Sequence, residues 1–394
     1  MDSTNRPYLV IPKLIEQPTW GGRYIVETKK WQQKDELVGK KIGQSYELYG
    51  KSNLSLALSS EDPSFSGEIT DFKLVEDQSS VINSIALSSL IAQNPTSILG
   101  DKIVTKCGFT MPLLLKFTQA LGNSFQLHIP DGTKSTRWKP KPESWYYFED
   151  GLITCGVKKD TNWHEYQQAV TELDQEIQKI SKNVRGGSLP YEDAKAEIDM
   201  LIKRYNPWQY VNVVRVEKGT LLDLSPCGIQ HSWEEDLNTI PLGNVLYEIQ
   251  LNVMDDVATI RSFDKGKIGI DGSLRPLQID DFFALADRST SANDPNTHMR
   301  ISTLVEKTPA YIHEKLLDTK YYGMDRVLLE KIGSEYVSTI DTFRHVFVRS
   351  GSMTLSAGTM SVVVHAGHSV FVPAGCREYA IKSTEDNTEI LISY

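Results

Sequence analysis

VEKGTLLDLSPCGIQHSW, residues 216–233, can be laid beside VVHAGHSVFVPAGCREYA, residues 363–380. Each copy has a valine run, a glycine, an apolar strand and a P-x-G turn. A polar residue follows three positions after that last glycine: His231 in the first copy, Glu378 in the second. Glycine suits the turn because the chain must reverse sharply between strands. Two copies of one strand–turn–strand unit predict two related β-barrels.

The rest of the chain reads the same way. YLVIPKL (8–14), PLLLKFTQAL (112–121), YVNVVRVEKG (210–219), VLYEIQLNV (245–253) and VATIRSF (257–263) are short β-rich runs bounded by Gly, Pro, Asn and Asp. HVFVRSG (345–351), SVFVPAG (369–375) and EILISY (389–394) continue the pattern to the C-terminus. Several alternate apolar with polar residues, as half-buried antiparallel strands do. One segment differs. Tyr166, Val170, Leu173, Ile177 and Ile180 recur at helical spacing, as do Ala194, Ile198, Leu201 and Ile202. RGGSLP (185–190) separates the two stripes, which predicts a two-helix hairpin packed on a barrel as a cover. The expected fold is mainly β: two jelly-roll barrels with a small helical insertion. The expected divisions are 1–162 and 208–290 for the barrel carrying His231, 163–207 for the helices, and 291–394 for the second barrel.

With 394 residues, the chain exceeds one ordinary hydrophobic core. Its net charge of −9 makes nucleic acid an unsuitable partner, while a local cluster of Lys and Arg can still hold a phosphorylated small molecule. The four cysteines, Cys107, Cys155, Cys227 and Cys376, form no CxxC pair, which argues against a disulfide framework or a thiolate zinc site. No apolar stretch is long enough to span a bilayer, and the first residues do not read as a signal peptide. A cytoplasmic protein with no membrane partner is expected, as a monomer or homodimer.

Chemistry concentrates in SFQLHIP, residues 124–130. Gln126 and His128 are two apart, so on a strand they project from one face while Leu127 packs on the other. Glu143 precedes an aromatic run in KPKPESWYYFED (139–150), with Lys141 two residues earlier, and His231 follows the P-x-G turn. Together, Gln126, His128, Glu143 and His231 offer a nitrogen and oxygen set suited to Zn²⁺ with room for water or substrate. The remaining histidines, including His345, His365 and His368, lack such surroundings and read as surface or structural.

These motifs resemble, in order, those of the type I mannose-6-phosphate isomerases, a family of cupin proteins. PTWGG (18–22), IGQSYEL (42–48), MPLLLKFTQALGNSFQLHIP (111–130), KPES (141–144), SPCGIQHSW (225–233), YEIQ (247–250), VATIRSFD (257–264) and GSLRPLQI (272–279) carry the likeness. It covers residues 8–280 well and the remainder loosely. The resemblance implies two cupin-type barrels, one Zn²⁺ per chain, and interconversion of mannose 6-phosphate and fructose 6-phosphate through an enediol. Carried over, the zinc ligands are Gln126, His128, Glu143 and His231. The active-site cations are Lys141 and Arg261. The active-site aspartate falls at Asp255 or Asp256, of which Asp256 is assigned the role. Ser124 occupies the position used near the substrate phosphate. Arg275 either reaches the phosphate or staples two strands, and Lys116 matches a lysine whose expected role is a structural salt bridge. Gln44 stands where the family has Glu, and Gln230–His231–Ser232 replaces V-H-A. The segment from Glu248 to Arg261 is longer than the family pattern. Two other readings fit the same residues: an isomerase of another sugar phosphate, and a non-catalytic cupin that binds metal and sugar. Retention of Lys141 and Arg261 beside the ligands favours an enzyme, because a binding cage alone does not need the cations.

Overall fold

In the computed structural model, the described residues are 4–71, 74, 77 and 81–394. The chain forms four sheets. Alternation decides how they stack. In the strand Asn244–Leu251, Leu246 belongs to one apolar core while Tyr247 and Ile249 belong to another. That strand therefore has an apolar core on each of its faces.

It lies in an eight-stranded sheet with Met299–Arg300, Leu221–Asp223, Glu143–Tyr147, Leu113–Ala120, Ile42–Leu48, Lys13–Glu16 and Glu68–Asp71. One face packs on a five-stranded sheet of Val211–Val216, Gly151–Val157, His231–Trp233, Phe125–Leu127 and Ile260–Phe263. Trp145, Tyr147, Ile153, Leu222, Trp233 and Leu246 fill the space between them. The two sheets form the first jelly-roll unit, as expected for cupin-type architecture.

The outer face of the five-stranded sheet presents Phe125, Leu127, Ile260 and Phe263 to three helices. Two of these make the predicted hairpin, Trp163–Arg185 and Tyr191–Tyr205. Asn162 caps the first, accepting from the backbone N–H groups of His164 and Glu165. The five predicted stripe residues of that helix are all buried. The third helix, Ile279–Leu285, closes the layer with Phe282 and Phe283.

The second unit pairs a four-stranded sheet (Glu335–Thr339, Glu378–Ser383, Ser352–Ala357, Met360–His365) with a nine-stranded sheet. Six strands of the latter come from the C-terminal segment: Thr303–Lys307, Tyr311–Asp318, Gly323–Leu329, Thr388–Ser393, Arg344–Ser350 and Ser369–Val372. The other three are Tyr8–Ile11, Asn53–Ser55 and Ser84–Ala86. Tyr8 pairs with Phe371 and Leu9 with Val370, antiparallel. Strand pairing thus runs across the divisions drawn at residues 162 and 291. The large sheets of the two units meet through aromatic packing, Phe117 lying 5.5 Å from Phe347 between ring centroids. A hydrogen bond of 3.0 Å joins Tyr247 Oη and His345 Nδ1 across the same contact. No helix among the described residues is long and apolar enough to cross a membrane.

Candidate metal centre

The first unit brings together residues that are far apart in sequence. The P-x-G turn places Gly228 at φ 83°, a conformation glycine adopts without a Cβ penalty. Its N–H donates to the carbonyl of His128 at 2.7 Å, so the turn before His231 is tied directly to the strand end carrying His128. Glu143 begins a strand of the facing sheet.

His128, Glu143 and His231 are buried, and one ligand atom of each lies within 4.8 Å of the others. Glu143 offers Oε2 to His128 Nε2 and Oε1 to His231 Nε2, both at 3.3 Å. Each imidazole is oriented from behind. His128 Nδ1 donates to the Ala258 carbonyl at 2.8 Å and His231 Nδ1 to the Ile229 carbonyl at 3.1 Å. Burial pushes the His128 imidazole below its ordinary pKa despite the carboxylate beside it, so the ring is neutral. Its Nε2 then carries a lone pair, not a proton. Both Nε2 atoms are buried without a hydrogen-bond partner. Two buried imidazole nitrogens without hydrogen-bond partners, facing one carboxylate, suit a cation between them, because buried polar atoms are otherwise paired. The donor set and the second bond on each imidazole are those of zinc sites. The residues present therefore fit the metal.

Gln126 sits in register between His231 and Arg261 on the neighbouring strands. Its amide nitrogen donates to Ser124 Oγ at 3.2 Å, leaving Oε1 available as an acceptor. Ser124 itself is fully enclosed and does not line the cavity, so in this structure it holds Gln126 and is not exposed to a substrate phosphate.

The cavity above the centre measures about 360 Å³, and Gln126 and Glu143 line it. Lys141 Nζ lies 2.8 Å from Asp255 Oδ1 and 3.4 Å from Glu143 Oε2. Burial opposes the charge on Lys141, but the carboxylates of Asp255, Glu143 and Glu248 outweigh it and hold the ammonium above its usual pKa. Burial likewise disfavours ionised Glu143, yet the Lys141 ammonium keeps it well below the usual carboxylate range. Of the two aspartates it is Asp255 that meets Lys141, while Asp256 is exposed on the cavity rim. Arg261 lines the cavity with its Nε buried and unpartnered, though its NH1 donates to the Thr259 carbonyl. Arg275 lines it too, 3.5 Å from Asp264, and is half exposed.

Several lining residues escaped the assignment of sites from sequence, Glu248 and Lys267 among them. Glu248 and Gln250 both meet Lys116 Nζ, at 3.1 and 2.9 Å, giving that lysine the expected salt bridge on the cavity wall. The alternation of NVLYEIQL puts both on the inward face, a signal that was present. Lys267 stands near Arg261 and Arg275 along the same wall; only its place six residues after Arg261 hinted at this. Glu378, the counterpart of His231 in the second copy, is exposed at the start of its strand.

No family model matches the chain, and no curated protein matches it in sequence. Solved structures do. Mannose 6-phosphate isomerase from Bacillus subtilis is 15% identical with a TM-score of 0.64, over 99% of each chain. The Salmonella typhimurium enzyme bound to fructose 6-phosphate and zinc is 13% identical with a TM-score of 0.63, covering 98% of this chain and 99% of that one. A putative mannosephosphate isomerase from Archaeoglobus fulgidus is 15% identical with a TM-score of 0.61, covering 100% and 99%. At such identities the likeness establishes the fold: this chain shares, from end to end, the cupin-type architecture of mannose-6-phosphate isomerases.

Proposed function

We propose that the chain is a zinc-dependent aldose–ketose isomerase acting on mannose 6-phosphate and fructose 6-phosphate. The observation that carries this is the pair of orphaned imidazole nitrogens facing Glu143 on the floor of a cavity that also holds Lys141, Asp255 and Arg261. Gln126, His128, Glu143 and His231 are the proposed ligands of one Zn²⁺. Bound there, the ion supplies Lewis-acid polarisation of a sugar oxygen.

The chain's own residues do the rest. Isomerisation moves a proton between C1 and C2 and leaves negative charge on a sugar oxygen. Arg261, with an unpartnered buried Nε, supplies fixed positive charge for that oxygen. Lys141 anchors substrate oxygens and is paired with Asp255, the carboxylate best placed to relay a proton, in preference to Asp256. Lys267 and Arg275 make the far wall positive enough for a phosphate, with Asp264 beside both and Glu234 and Glu235 acting on Lys267. Trp20, Trp145 and Trp233 give the cavity apolar surface against which a sugar ring can lie.

The reading extends to a cytoplasmic setting, where the four cysteines stay free, and to a chain acting alone or as a homodimer. It also keeps the domain division of catalytic unit, helical insertion and second barrel, with Tyr8–Ile11, Asn53–Ser55 and Ser84–Ala86 lent to the second barrel's large sheet.

The test is a coupled assay of mannose 6-phosphate conversion before and after chelation, with His128→Ala alongside and metal content determined. Activity lost on chelation, restored by Zn²⁺ and absent in His128→Ala supports the reaction and the site. Zinc uptake without turnover of mannose 6-phosphate would leave the centre standing and send the search to other sugar phosphates.

A further inference from the structure

Behind the metal-binding strand runs a line of buried polar side chains that the proposed chemistry does not use. Gln230 and Ser232 flank His231 and, by strand alternation, point to the opposite face. There Gln230 Nε2 donates to Thr154 Oγ1 at 2.7 Å, and Thr154 and Ser232 hydroxyls meet at 2.5 Å. Ser232 Oγ donates to Glu234 Oε1 at 2.6 Å. Because Ser232 gives its proton to the carboxylate, Thr154 must donate to Ser232, and every hydroxyl proton in the line is assigned. Glu234 is the acceptor at its end. It also takes Trp208 Nε1 on Oε2 at 2.8 Å and Lys265 Nζ on Oε1 at 2.7 Å. Lys265 donates again to the Trp233 carbonyl at 2.6 Å.

Lys265 comes from just beyond the strand that carries Arg261. It reaches Glu234 across the middle strand, its Nζ passing 5.7 Å from the Phe125 ring. The ion pair therefore spans the three strands bearing His231, Gln126 and Arg261. Those strands are only three to four residues long, and a single register pair, His231 with Gln126, joins the first two. Few ladder bonds hold their relative positions. Lys265 keeps a left-handed backbone at φ 55°, which a non-glycine residue holds only when its surroundings impose it. Burial pulls its ammonium down to about 8, so the pair is an expensive way to gain stability alone.

We propose that Glu234 and Lys265 are positioning residues: a strap that sets His231 and Arg261 against Gln126 and His128. The inference rests on the metal-centre reading but not on the identity of the substrate.

The experiment measures zinc affinity of the full chain by chelator competition, together with thermal unfolding and kcat and KM, for Lys265→Met, Glu234→Gln, Lys265→Arg and the double variant Lys265→Met/Glu234→Leu. The single removals are expected to weaken zinc binding by about 10- to 100-fold, as loss of groups orienting metal ligands does. They should lower kcat more than they raise KM, and Lys265→Arg should restore most of the affinity. The double variant, an apolar replacement of the pair, is expected to recover thermal stability but not zinc affinity. Wild-type affinity in the single variants would overturn the proposal. So would a double variant that regains affinity along with stability, since the pair would then be structural only. Wild type that takes up zinc but turns over no mannose 6-phosphate would sink the substrate assignment while the affinity comparison still decides the strap. Wild type that takes up no zinc would end both.

Discussion

Lys29 Nζ lies 2.7 Å from Glu47 Oε1, and neither side chain has any exposure to solvent. Ser45 Oγ donates to the same carboxylate oxygen and Ser369 Oγ to the other, so the pair joins the end of the short helix Tyr24–Thr28, which Lys29 follows, to the eight-stranded and nine-stranded sheets. Burial pushes the Lys29 ammonium below its ordinary pKa, with Glu47 opposing. A buried pair of this kind is weak as a source of stability but damaging to break, because the surviving charge is stranded. Lys29→Met or Glu47→Gln alone is therefore expected to lower the unfolding free energy by about 3–5 kcal/mol. Lys29→Met/Glu47→Leu should recover much of the loss. Urea denaturation of the three variants checks this; equal losses in single and double variants would contradict it.

Zinc should stabilise the folded chain, because three buried ligands converge only in the native state. At free zinc 100 times its Kd the gain is about 2.7 kcal/mol, seen as a rise in Tm. Glu143→Ala removes the carboxylate between the two imidazoles and is expected to abolish that rise. A Tm that climbs equally with zinc in wild type and variant would place the ion elsewhere.

Acid should loosen the contact between the two units. Burial holds His345 down at about 3, and protonation would turn its Nδ1 from an acceptor of the Tyr247 hydroxyl into a donor. Between pH 6.5 and 3 the unfolded chain binds this proton and the folded chain does not. Stability from this group is thus complete above 6.5 and falls as pH drops through that window, by a few kcal/mol at roughly 1.4 kcal/mol per unit. His345→Gln keeps a hydrogen-bonding side chain without the titration. Its unfolding free energy should depend less steeply on pH between 6 and 4 than that of wild type, as measured by urea titration at each pH.

The two neighbouring aspartates should behave differently. Asp255→Asn removes the partner of Lys141 and is expected to lower kcat by about 10²–10⁴ if the carboxylate takes part in proton transfer. Asp256→Asn, on the exposed rim, should stay within a few-fold of wild type. The reverse order would return the role to Asp256.

Part of the candidate metal site was readable because alternation is local: Gln126 and His128 share a strand face whatever the strand packs against. The helical hairpin was readable for the same reason, its apolar stripes being written at helical spacing. The assignment of Asp256 over Asp255 had no physical basis in the sequence, since the short 3-10 turn at Asp255–Val257 sets which carboxylate meets Lys141. The role of Ser124 near a phosphate came from the resemblance alone, and its burial against Gln126 was not legible in the sequence. Lys267 becomes visible only when the chain is folded, as does the pairing of Lys29 with Glu47, since nothing in IGQSYEL names Lys29 as the partner. The pairing of Tyr8–Ile11 with Ser369–Val372 was least legible of all, because nothing local in YLVI names a partner near the other end of the chain.

That pairing has a consequence for how the molecule is made. At about 5–20 residues per second, a ribosome releases Leu9 tens of seconds before it reaches Val370. Throughout that interval an apolar strand whose every residue is destined for burial can pair along only one edge, where Leu9, Val10 and Ile11 meet Ser55, Leu54 and Asn53, while the other edge stays open. Closing so long a loop is entropically unfavourable and slow. The nascent chain must therefore carry YLVI with one edge unpaired until the last strands emerge. Deleting the final segment would leave that edge open as surely as deleting the first would leave Ser369–Val372 with an open flank.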